Sequence, residues 1–183
     1  MPRDREAGKP QAPTKRRFTG RRRFLLRFVL FLGILAGMSA LALGLMQSEP
    51  AMAALQRVTA GSTCAVLRVL GTDATTDNHI IVSDRFSISV VAACTGLFLF
   101  VAFSSAVLAF PARWQAKLFG LAAGIAAIFV MNIARLVVLF YVGVFFPQRV
   151  ESMHLLILQS LSIVGVLFLW LIWVEKVAHA HHT

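Results

Sequence analysis

Residues 118–146 read LFGLAAGIAAIFVMNIARLVVLFYVGVFF, an apolar run broken only by Asn132 and Arg135. A helix of about 20 such residues crosses the roughly 30 Å hydrocarbon core of a bilayer. Three more stretches share this character: 24–46, where one early Arg27 can snorkel, 95–110 and 154–174. Within lipid each must be helical, because no water is there to satisfy an open backbone. The expected fold is an all-α integral membrane protein with about four transmembrane helices. Composition agrees: 58% of the 183 residues are hydrophobic, 14% are charged, and the mean hydropathy is +0.76. A soluble domain needs far more polar surface than this.

The net charge of +10 invites a nucleic-acid reading, but its location argues against one. Residues 1–27 hold ten Lys or Arg (Arg3, Arg5, Lys9, Lys15, Arg16, Arg17, Arg21, Arg22, Arg23, Arg27) against Asp4 and Glu6. That is +8 in the tail and +2 in all the rest. The basic block flanks a span, and no nucleic-acid partner is expected. By the positive-inside rule the N-terminus is cytoplasmic, where the tail favours anionic lipid. Arg113 and Lys117 place the loop after the second span inside, and Lys176 places the C-terminus there. The three tryptophans (Trp114, Trp170, Trp173) fall near the same interface, as an aromatic belt would. The segments become a basic tail (1–23), a first helix (24–46), an extracytoplasmic segment (47–91), a three-span core (92–175) and a cytoplasmic tail (176–183). The expected location is the cytoplasmic membrane, crossed several times with both termini inside.

TGRRRFLL resembles a twin-arginine export signal, and Ala51-Met52-Ala53 has the look of a cleavage site. The apolar run exceeds the usual signal core of about 7–15 residues, so a retained helix is expected. Gly33-x-x-x-Gly37 and Gly120-x-x-x-Gly124 permit close helix packing.

In the outer segment, AMAALQRVTAGSTCAVLRVLG reads as an amphipathic helix ended by Gly71. GTDATTDN is turn-like. HIIV and FSISVV then flank Ser83-Asp84-Arg85, and the alternation of Phe86, Ile88 and Val90 with Ser87 and Ser89 predicts a small β-hairpin. The hairpin leads directly into the second span.

Cys94 sits at that junction. A helix N-terminus favours a thiolate, and its free N–H groups can hold an oxyanion. Thr95 can cap the first turn, and Gly96 lets a substrate backbone approach. Against this stands a structural reading: Cys64 and Cys94 are both expected on the oxidising side, where an even count suggests a disulfide. Arg135 lies inside a span, where a charge is costly and points to function. Asn132, three residues earlier, shares its helical face. From Leu118 to Arg135 is about 26 Å of helix, which puts Arg135 near the outer boundary, level with Cys94. The apolar LVVLFYVGVFF beyond it demands a tilted, kinked or re-entrant segment. His154 opens the last span at the same level and can exchange protons near neutral pH. Together a thiol, an imidazole and a guanidinium can perform acyl transfer: Cys94 attacks, His154 moves protons and Arg135 stabilises the oxyanion. No metal or other cofactor is expected.

Ala93-Cys94-Thr95-Gly96, then Asn132-Ile133-Ala134-Arg135, then His154 opening a late span resemble the exosortase/archaeosortase family. The resemblance covers roughly residues 77–175, and the compact size is similar to short forms such as the exosortase H group. It implies a membrane cysteine transpeptidase or protease. Its substrates would be exported proteins carrying a C-terminal sorting signal: a short motif, an apolar helix and a basic cluster. Cys94 would be the nucleophile, with Arg135 and His154 beside it. The acceptor, an amine or water, is not specified by the chain. Thr95 departs from the family's usual Ser but keeps a hydroxyl.

The competing reading is a non-catalytic membrane scaffold, in which Arg135 pairs structurally and the cysteines are bridged or inert. Other intramembrane hydrolases are disfavoured: the sequence has no H-E-x-x-H for zinc and no G-x-S-x-G for a serine nucleophile.

Overall fold

The computed structural model describes residues 15–179. The tail positions Arg3, Arg5 and Lys9, and His181 and His182 at the other end, lie outside the described residues. The chain runs α1 (Lys15–Gln47), α2 (Glu49–Val69), β1 (Ala74–Asp77), β2 (Ile80–Ser83) and β3 (Ser87–Ser89). A 3-10 turn (Ala92–Thr95) leads to α3 (Leu97–Ala109) and α4 (Trp114–Phe145). After a 3-10 turn (Pro147–Arg149), a short α5 (Val150–Ser152) passes through a π-helical segment (Met153–Leu158) into α6 (Gln159–His179).

Three helical stretches are long and apolar enough to cross a membrane: Phe28–Gln47, Trp114–Phe145 and Pro147–Val177. Their large exposed side chains, such as Leu41, Val130, Val138, Leu161 and Phe168, are apolar, as lipid contact requires. The expected second span is a shorter helix. α3 has 13 residues, about 20 Å of rise, and so does not by itself match a hydrocarbon core of about 30 Å. Its N-terminus stops at Gly96, where the backbone turns left-handed (φ 77°).

The bundle core joins α3, α4 and α6 through Leu99, Phe103, Val107, Ile128, Val166 and Trp173. Gly120 and Gly124 make this approach possible: a Cβ at Gly120 would strike the Trp173 indole, and one at Gly124 the Phe103 ring. Gly33 and Gly37 face open space, so the same spacing on α1 is not used within this chain. The tryptophans gather at the α3–α4 turn. Trp173 Nε1 donates to the Ala116 carbonyl, Phe110 meets Trp170 and Trp173 edge-to-face, and Lys117 lies over Trp114.

At the opposite end, α2 and the sheet form a cap over the last turns of α4. Ala60, Cys64, Leu67, Ala74, Ile81, Val90, Leu136 and Phe140 pack as one apolar cluster. Phe86 fits against Gly143, its ring edge-to-face with Phe140, and Tyr141 shares a hydrogen bond with Thr72. This changes the reading of residues 136–146. α4 is continuous through 32 residues, about 48 Å, and needs no re-entrant turn. About 32 Å of it runs from Trp114 to Arg135; the rest is sheltered by the cap.

The expected hairpin is a three-stranded antiparallel sheet, ordered β1-β2-β3. The added strand comes from residues read as turn-like. The β-branched pair Thr75-Thr76 suits a strand, and Asn78, at φ 54°, makes the tight reversal into β2. Ala51-Met52-Ala53 lies in the first turns of α2, with Met52 buried.

Candidate active site

Residues from three elements meet where the cap joins the bundle. Cys94 lies in the 3-10 turn before α3, Asn132 and Arg135 on α4, and His154 in the π-helical segment. The Cys94 Sγ is 3.7 Å from His154 Nε2. The Asn132 amide donates to the Cys94 carbonyl at 2.7 Å. One terminal nitrogen of Arg135 donates to Gln159 Oε1 at 2.8 Å, and the other reaches the Ala93 carbonyl at 3.5 Å. Cys94, Asn132 and Arg135 are buried, at 3%, 1% and 5% exposure.

Three polar atoms here are buried with no hydrogen-bond partner: Asn132 Oδ1, Arg135 Nε and His154 Nδ1. Such orphans are costly in a settled core, and here they belong to three residues grouped around one thiol. Among the described residues no cluster of three or more His, Cys, Asp or Glu occurs.

The turn carrying Cys94 differs from a simple strand-to-helix junction. Its N–H donates to the Val91 carbonyl, so this amide is not free for an oxyanion. Thr95 does not cap α3. Its hydroxyl donates back to the Ala92 carbonyl at 2.7 Å and closes the 3-10 turn, while Gly96 occupies the cap position. The place of Gly96 also has a packing reason. Its φ of 77° disfavours any side chain, and a Cβ would come within 3.3 Å of Asn132 Cγ. Burial pushes the Cys94 thiol up, and the opposing charge of Arg135 only partly offsets this. The expected lowering by a helix N-terminus is therefore overturned, since Cys94 precedes the first residue of α3 by three positions. Both cysteines are free; Cys64 Sγ donates to the Ala74 carbonyl in the cap.

Residues 18–174 match the family model described as transmembrane exosortase (Exosortase_EpsH). The chain belongs to the exosortase family. The match extends well before residue 77, so α1 and α2 belong to the family's extent as well. No curated protein and no solved structure matches the chain.

In this exosortase Gln159 is the polar contact that sequence reasoning missed. Its signal was present: it is the one amide side chain in the apolar run 154–174. Intramembrane polar groups seek one another, and Arg135 needed a partner. His79 lies between β1 and β2, where its carbonyl accepts from Val90 N–H.

Proposed function

We propose that this exosortase is a membrane cysteine transpeptidase or protease. Its substrates would be exported proteins bearing a C-terminal sorting signal with a short motif, an apolar helix and a basic cluster. The observation that carries the reading is the approach of Cys94 Sγ to His154 Nε2, with the Arg135 guanidinium over the adjoining Ala93 carbonyl. A buried thiol with a raised pKa rests as the neutral acid, so the imidazole must take its proton during attack.

In this mechanism Cys94 Sγ bonds to the scissile carbonyl carbon as its proton passes to His154 Nε2. Negative charge develops on the carbonyl oxygen, and Arg135 stabilises it. The carbon–nitrogen bond then breaks, and the imidazolium returns the proton to the leaving amine. Water or an acceptor amine resolves the thioester, giving hydrolysis or transfer. Asn132, Thr95 and Gly96 hold the turn that presents the thiol.

The basic tail and the Arg113–Lys117 loop support a cytoplasmic N-terminus by the positive-inside rule. This would set the cap and the site at the extracytoplasmic face of the bacterial inner membrane, with the C-terminus inside. A substrate anchored by its own C-terminal helix would present its cleavage point at that level. The test is a gel shift of a co-expressed exported protein carrying a candidate C-terminal signal. Wild type yields the shorter product and Cys94→Ala does not, at equal membrane abundance. Equal processing in both would remove Cys94 from the chemistry and favour a scaffold.

A further inference from the structure

The helix that carries His154 is not regular where it enters the site. Between Met153 and Leu158 it is π-helical, and the Gln159 backbone N–H donates to the His154 carbonyl five residues back. On an α-helix, residues five apart point about 140° away from each other. The wider i→i+5 closure stacks them instead, and such segments concentrate at functional sites. Both side chains of the pair are used. His154 Nε2 reaches the Cys94 sulfur, and Gln159 Oε1 accepts from Arg135. Arg135 in turn spans to the Ala93 carbonyl beside Cys94. The contacts close a ring through Cys94, His154, Gln159, Arg135 and Ala93.

We infer that Gln159 is a positioning residue: stacked under His154 by the π segment, it holds the Arg135 guanidinium against the Cys94 turn. This rests on the proposed reading of Cys94 and Arg135 as partners in acyl transfer. Arg135 alone has three side-chain nitrogens and a flexible stem. Its Nε has no partner, so the Gln159 and Ala93 contacts fix where its charge lies. Without the amide, only the longer 3.5 Å contact with the Ala93 carbonyl and the attraction of the thiol itself hold the guanidinium in place. A structural role would be a loss of stability only. A positioning role also changes the field at Cys94. Arg135 from α4 and His154 from the π segment are the ionisable groups set against Cys94 among the described residues, and the buried Cys64 of α2 shares its apolar cluster.

The test reads Cys94 directly and needs no substrate. Full-length protein in native membranes is treated with methyl methanethiosulfonate across neutral to alkaline pH. The rate at the Cys94 peptide is followed by mass spectrometry for wild type, Arg135→Ala, Gln159→Leu and Gln159→Glu. Arg135→Ala should move the midpoint of the rate profile up by roughly one pH unit, about a tenfold loss of thiolate at neutral pH. Gln159→Leu should reproduce most of that shift. Gln159→Glu keeps an acceptor, which guards against a folding failure. Its carboxylate would offset the Arg135 charge, and the midpoint should again rise. A shift with Arg135→Ala but none with Gln159→Leu overturns the positioning role and leaves the proposed chemistry standing, whatever the added charge of Gln159→Glu does. No shift with Arg135→Ala overturns both, because Arg135 then exerts no field on Cys94 for Gln159 to direct.

Discussion

The side-chain amide of Asn132 donates to the backbone carbonyl of Cys94 at 2.7 Å, across 38 residues of sequence. A buried hydrogen bond of this kind ties the proposed nucleophile's own peptide unit to α4. The same helix presents Arg135 one turn further on. Thiol and guanidinium are thus held to a common frame, whatever the flanking sheet does. Asn132→Ala leaves the Cys94 carbonyl buried without its donor, a cost of about 1–3 kcal/mol. Asn132→Asp removes the donor and adds a negative charge near the thiol. Both should lower the thermal transition in detergent and slow processing, with Asp the more severe on processing.

Gly96 tests the same frame from the turn side. Its left-handed backbone (φ 77°) costs a residue with a Cβ about 1–2 kcal/mol, and the new methyl would press on Asn132. Gly96→Ala should therefore weaken the Asn132–Cys94 tether as well as the fold. The expected outcome is a reduced processing rate at equal membrane abundance. An unchanged rate and unchanged thermal transition would mean that the turn relaxes freely.

The two cysteines should separate by pH and by function. The Cys94 thiol is pushed up by burial, more than Arg135 pulls it down. Its alkylation should rise with pH through a midpoint above that of an ordinary exposed cysteine, since only the thiolate reacts. Cys64, buried and donating to the Ala74 carbonyl, should react only on unfolding. Cys64→Ala should retain processing, whereas Cys94→Ala should abolish it. Equal labelling of both in the folded protein would contradict this assignment.

Glycines of the two matching motifs should differ sharply. Gly120→Val and Gly124→Val drive a side chain into Trp173 and Phe103, and overpacking of that kind costs about 1–3 kcal/mol. Gly33→Val and Gly37→Val meet open space within this chain. Thermal transitions should fall for the first pair and stay near wild type for the second. A fall for the α1 pair would point to a partner on that face.

Much of the bundle was legible in the chain. The apolar runs gave the helices because lipid leaves no alternative to internal hydrogen bonding. Asn132, Arg135 and His154 stood out because polar groups in such runs are expensive. The strand at Thr75-Thr76 is not legible in GTDATTDN, because a four-residue strand is defined by its partner more than by its own pattern. The direction of the Cys94 pKa depends on burial, which no local spacing reveals.

That the chain is a helical membrane protein is written in its order of residues, since hydrophobicity and backbone satisfaction act residue by residue. That order also shows how few polar residues stand within its apolar runs. What covers residues 136–146 emerges from the packed fold, in which the α2–sheet cap shelters that apolar extension. Only there does Gln159 find Arg135, 24 positions away, and only the π segment turns Gln159 and His154 to one side. These are relations between side chains on different helices. They depend on helix length, crossing and local winding, which the order of residues constrains only through the whole fold.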